Sequence, residues 1–231
     1  MNACPPTSLV DQAVRRVREH IRERDLKVGD TLPGEGQFAT DLGVSRAVMR
    51  EAFGALAALR LIDVGNGRRA RVGAIDGSVM ATSIEHAVAT AQVTTKQVWD
   101  VRQTLELRTA ALAAEHRSDD DARAIREHAA QMALAGSDMA SLIAHDIAFH
   151  QTIARAGGNA LFHQIVRSFE QLMRVAVPSA WHTRETATQR EEVLAVHRDL
   201  ADAIADRDAP GASALMEQHF DKSISDLFVT R

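Results

Sequence analysis

The chain has 231 residues, 45% of them hydrophobic, a net charge of −4 and one cysteine, Cys4. That length can bury a substantial core and suits two modest domains. No apolar run approaches the ~20 residues of a membrane-spanning helix, Cys4 has no second thiol to pair with, and the first ten residues lack a secretory pattern, so the reading is a cytoplasmic protein that stays out of the membrane. The charge is unevenly spread: residues 1–74 hold 12 Lys/Arg against 9 Asp/Glu, and residues 75–231 hold 15 against 22. Frequent Ala and the absence of Tyr favour helix over sheet.

Ser8 can cap a first helix from Leu9 to about Asp25, with Val10, Val14, Val17 and Ile21 on its apolar stripe and Arg15, Arg18 and Arg22 on another. Pro33 precedes a helix over Glu35–Leu42, Gly43 suits the turn that ends it, and Ser45 can cap a second helix running to about Arg60. Val48, Ala52, Ala55, Leu56 and Leu59 form the expected inward face of that helix, while Arg46 and Arg50 point away from it. Two helices and a tight turn fit either a solvated corner or a major-groove reader, whose arginines address guanine edges or phosphates. Leu61–Val64, Gly65-Asn66-Gly67 and Arg68–Val72 then read as strand, turn and strand, with Arg68, Arg69 and Arg71 at or beside the tip.

A helix-turn-helix followed by a basic hairpin is a winged helix-turn-helix. The residues LP-E, LGVSR--MRE and LI-V--G, spread over about Ser8–Val72, resemble the DNA-binding half of the GntR family of bacterial transcription regulators. The resemblance implies DNA contacts from the start of the second helix and the wing tip, which nominates Ser45, Arg46, Arg50 and Gly67, joined by Arg68 beside the tip. Members often carry Arg where this chain has Gly36, and Arg or Pro where it has Gly65 and Asn66.

Residues 1–73 are therefore assigned to the winged helix-turn-helix, 74–78 to a linker and 79–231 to a second domain. That domain reads as helices near Val79–Ala91, Thr95–His116, Asp119–Ala135, Asp138–Ala156, Asn159–Val177, Thr186–Asp206 and Pro210–Phe228, with Pro178 stopping the fifth. Short connections make this an antiparallel bundle of six or seven helices, and the whole chain mostly α.

Within Leu142–Ile153, Leu142, Asp146, Phe149, His150 and Ile153 share one face, so a carboxylate and an imidazole one turn apart interrupt an apolar stripe. Burying such groups is costly unless they are partnered. His197, in line with Val193, Leu200 and Ile204, and His219, one turn after Leu215 and Met216, repeat the anomaly on two other helices. An Asp146–His150 hydrogen bond would account for the first pair alone. One Asp and three His from three helices also suit a divalent cation, with Zn²⁺ favoured and Ni²⁺, Mn²⁺ or Fe²⁺ as alternatives. Arg102 falls in register with Val98, Leu105, Thr109 and Leu112, so its charge points inward, either to Glu106 or to an anionic ligand.

Val101-Arg102 with Leu105-Glu106, Asp146-x3-His150, Gly158-Asn159, Val196-His197-Arg198 and Gln218-His219-Phe220 resemble the FCD ligand-binding domain of the FadR branch of that family. The resemblance implies a metal held by Asp146, His150, His197 and His219, and a small carboxylic acid completing its coordination. Arg102 is then a candidate receptor for the acid. Trp181 is either a lid that would suit a sugar acid or packing at a helix end. The expected function is a homodimeric repressor on a palindromic operator, released by a small organic or sugar acid. The alternatives are a regulator that senses the ion itself and a metal-dependent hydrolase or lyase.

Overall fold

A computed structural model of the chain describes residues 8–65 and 67–228, with side chains described up to Lys222. Cys4 and the turn residue Asn66 lie outside the described residues. The chain divides into two compact units, Met1–Val79 and Met80–Arg231. Among the described residues, no helix is long and apolar enough to cross a membrane.

The first unit contains α1 (Leu9–Glu23), α2 (Glu35–Leu42), α3 (Arg46–Ala58), β1 (Ile62–Gly65) and β2 (Arg68–Val72). Ser8 caps α1 through a reciprocal pair with Asp11. Gly43 closes α2 at φ +66°, and Ser45 caps α3 by accepting the Val48 amide proton at 3.2 Å. The buried stripe of α3 is Met49, Ala52, Phe53 and Leu56, whereas Ala55 and Leu59 are exposed. Of the expected face, Ala52 and Leu56 are buried and Val48 packs partly buried against the core; seating Met49 and Phe53 removes more apolar area from water than seating Ala55 and Leu59 would. These side chains pack with Val17, Leu32, Phe38, Ile62 and Val72. The strands pair antiparallel, Ile62 with Val72 and Gly65 with Arg68, with an irregularity between Asp63 and Gly65.

The second unit, which takes in all but the start of α4, is built from helices only: α4 (Ser78–Ala89), α5 (Thr95–His116), α6 (Asp119–Leu134), α7 (Met139–Ala156), α8 (Ala160–Ser168), α9 (Glu170–His182), α10 (Ala187–Ala205) and α11 (Ala209–Phe228). Thr94, Ser118, Asp138, Asn159 and Thr186 cap five of them through side-chain oxygens. The segment expected as one helix over 159–177 is two. Ser168 turns its hydroxyl onto the Ile165 carbonyl at 2.6 Å, a back-bond that bends helices, and α9 starts afresh at Glu170. Pro178 does not stop α9 but lies inside it. The neighbouring Ser179 hydroxyl donates to the Val175 carbonyl. The core is Ile125, Phe149, Ile153, Leu200, Ile204, Met216 and Phe220 with their neighbours. Around it α5 packs on α7, α10 and α11, and α10 on α11, which brings four helices together at one level of the bundle.

Candidate metal centre and nucleic-acid interface

Those four helices carry the polar side chains that the sequence placed on inward faces. Arg102 and Glu106 on α5, Asp146 and His150 on α7, His197 on α10 and His219 on α11 are all 9% exposed or less. His150, His197 and His219 offer ligand atoms that all lie within 4.8 Å of one another. Asp146 joins them through His197, whose Nε2 is 3.4 Å from Asp146 Oδ1. The three histidines thus form one cluster, and Asp146 lies beside it against His197.

The protonation pattern follows from the partners. His197 Nδ1 lies 2.8 Å from the Val193 carbonyl oxygen, which can only accept, so Nδ1 carries a proton. Burial pushes the Asp146 carboxyl up, but His197, His150 and Arg102 together override it and hold it below its ordinary range. A carboxylate oxygen and the His197 ring nitrogen Nε2 face each other, and buried Nε2 has no hydrogen-bond partner among the described residues. Buried polar atoms are normally satisfied; with Nε2 unprotonated, a cation between the two would satisfy both. Burial pushes His219 well below the usual imidazole range, so it offers a lone pair. With the three imidazoles neutral, one carboxylate and three ring nitrogens fit a divalent transition ion.

Arg102 forms the adjoining wall. Its Nε donates to Glu106 Oε1 at 2.8 Å, its Nη1 contacts Met173 Sδ, and its guanidinium lies 4.9 Å from the Trp99 ring and 5.3 Å from the Phe220 ring. Glu106 is thus the partner of Arg102 in the structure. Trp181 lines the same cavity and packs with Leu142 and Val193. Two features escaped the sequence reading. Arg184 is buried in the cavity lining with its guanidinium 5.5 Å from the Trp181 ring. Glu106 also approaches His150, its Oε2 standing 2.5 Å from Nδ1. Arg184 follows a helix end where no periodicity signals burial. The second contact of Glu106 is hidden behind its more obvious i+4 neighbour Arg102.

Of the nominated DNA-contacting residues, Ser45, Arg46 and Arg50 sit at the start of α3 and Gly67 and Arg68 at the hairpin tip. Arg46 and Arg50 are exposed. Arg46 folds back over α2, where a Cβ built on Gly36 would lie 3.6 Å from Nη2. Gly67 takes φ +69° at the tip, and the Arg68 guanidinium lies against Gly65, 3.2 Å from the position a Cβ would occupy. Arg71 is engaged elsewhere, donating to the Gly29 carbonyl at 3.0 Å. Arg69, His20 and Arg24 line a shallow basic groove beside Gln37 that the sequence reading did not single out.

Comparison with known proteins agrees with both halves. The pattern described as "Bacterial regulatory proteins, gntR family" matches residues 9–72, and that of the FCD domain matches residues 97–222. The transcriptional regulator LutR of Bacillus subtilis is 27% identical over 86% of this chain and 92% of its own length. The Glc operon transcriptional activator of Escherichia coli is 28% identical over 88% of this chain and 81% of its own. The solved structure of a Streptococcus agalactiae GntR protein superposes with a TM-score of 0.64 at 23% identity, covering 92% of this chain and 97% of that one, a likeness of fold. The chain belongs to the GntR family of bacterial regulatory proteins, in the branch that carries an FCD domain, and is a DNA-binding transcription regulator rather than an enzyme.

Proposed function

We propose that this regulator binds a palindromic operator as a homodimer and is released from it by a short carboxylic acid that docks at a divalent ion in the helical unit. Ser45, Arg46, Arg50, Gly67 and Arg68 would meet the DNA, and Asp146, His150, His197 and His219 would hold the ion, with zinc the favoured species. The observation that carries the reading is the buried, unpartnered His197 Nε2 facing Asp146 Oδ1 at the edge of a cluster of three histidines. One winged-helix module makes too small an interface for specific affinity, which supports two copies on a two-fold site. Of the relatives compared, one is named an activator; release from repression is the sign proposed for this chain.

The cavity also narrows the acid. Beyond the charged cluster its walls are Met132, Leu142, Val177, Val193, Leu194 and the two indoles. Each sugar hydroxyl buried there without a partner would cost about 1–3 kcal/mol. A short acid with an apolar remainder would meet Arg102 and the ion with its carboxylate and the aliphatic wall with its tail. This argues for a short organic acid over a sugar acid.

The test is a thermal-shift screen of carboxylic acids on zinc-loaded and chelator-treated protein, followed by fluorescence anisotropy on a duplex selected from a random pool by the wild-type chain. A ligand at 100 times its dissociation constant adds about 2.7 kcal/mol. Short acids should raise the melting temperature only of the loaded protein and should weaken duplex binding. If zinc alone changes duplex affinity and no acid does, the ion is the effector and the acid reading fails.

A further inference from the structure

His150 is held from behind by a carboxylate that has a second task. Glu106 is 1% exposed, with Oε1 on Arg102 Nε at 2.8 Å and Oε2 at 2.5 Å from His150 Nδ1. At this contact neither Oε2 nor Nδ1 meets a regular hydrogen-bond geometry, and neither has a hydrogen bond elsewhere among the described residues. A carboxylate oxygen accepts, so the proton facing it is carried by Nδ1, which leaves Nε2 for the cluster. A ring fixed this way is both oriented and made a stronger donor to a metal. If Glu106 only neutralised Arg102, one oxygen would suffice and the other would have no reason to reach another helix.

We propose that Glu106 is a positioning residue of the ion site, one oxygen turning the Nε2 lone pair of His150 toward the cluster while the other holds the Arg102 guanidinium at the cavity wall. The same buried side chain then sets the geometry of an ion ligand and of the acid receptor.

The inference rests on the proposed ion site, and the experiment separates the two. Zinc is titrated into full-length wild type, Glu106→Gln and Glu106→Asp in competition with a chromophoric chelator. Apo melting temperatures and two-bond ¹H–¹⁵N histidine spectra are recorded alongside. Glu106→Gln keeps the shape and removes the negative charge behind His150, so zinc affinity should fall about 10–100-fold, with the Nδ1–H signature of His150 lost or mixed. Glu106→Asp keeps the charge but is one methylene too short to span both partners; it should also lose affinity, and it carries the test should the Gln variant not fold. A wild type that binds no zinc removes the ion site itself. A wild type that binds zinc, with variants that bind it within twofold and keep the His150 tautomer, overturns the role given to Glu106, whatever happens to the apo melting temperature.

Discussion

The two units of this chain put their charge in different places. In the first, the core of Val17, Leu32, Phe38, Met49, Phe53, Leu56 and Ile62 is apolar, and Arg46, Arg50 and Arg68 stay at the surface. In the second, charged side chains penetrate the bundle: Arg102, Glu106, Asp146 and Arg184 are buried, together with three histidines. Every buried polar side chain among the described residues belongs to this second unit. A DNA duplex brings its charge in water, so surface guanidiniums suffice to meet it. A small ligand must be taken out of water, and the groups that receive it must already be inside. Function and stability are therefore separable in the first unit and entangled in the second.

Substitutions at five positions press on that contrast, taken from the largest expected effect down. Phe149 is fully buried and its ring centroid lies 5.2 Å from that of His197 and 5.5 Å from that of His150. Phe149→Ala should cost about 3–5 kcal/mol in urea unfolding and loosen zinc as well. Phe53→Ala in the first unit should cost a similar amount and leave zinc content unchanged; loss of zinc there would refute the separation.

Arg50→Ala comes next. Binding to the selected duplex should weaken by about 1–3 kcal/mol, while the melting temperature should hold, since an exposed substitution away from caps costs within about 0.5 kcal/mol. Unchanged binding would take Arg50 out of the interface. Ser45→Ala removes the cap of α3 and should cost about 1 kcal/mol of stability, measurable in the unfolding transition of the first unit, with the acid response of the second intact. The smallest effect belongs to Gly36→Ala. A Cβ there meets the Arg46 guanidinium at 3.6 Å, ordinary contact, so α2 should gain about 0.5–1 kcal/mol with duplex binding unaltered. Gly36→Leu, by contrast, should displace Arg46 and weaken binding, and should do so only while Arg46 is present; equal weakening in an Arg46→Ala background would mean the two positions are independent.

The same contrast explains what could be read from the sequence. In the first unit local signals decide nearly everything: Ser8 and Ser45 cap, Gly43 turns, and the basic hairpin follows at the right spacing. In the second, periodicity reveals that Asp146, His150, His197 and His219 face inward, because each interrupts an apolar stripe. It does not reveal what meets them from another helix, and that is why Glu106 opposite His150 and Arg184 beside Trp181 were missed. His145 meets His128 on the neighbouring helix in the same unread way, with Nδ1 atoms 3.2 Å apart. The break at Phe169 and the passage of α9 through Pro178 are choices that residue type alone does not dictate.

The account turns on one ion held by four side chains. The most direct test is elemental analysis of the full-length protein purified without chelators, beside His150→Ala and His197→Ala made in the same way, with circular dichroism to establish that all three are folded. One equivalent of divalent transition metal per chain in the wild type, and none in either folded variant, is the result expected. One equivalent retained by both variants, or none in the wild type even after incubation with zinc, would contradict it.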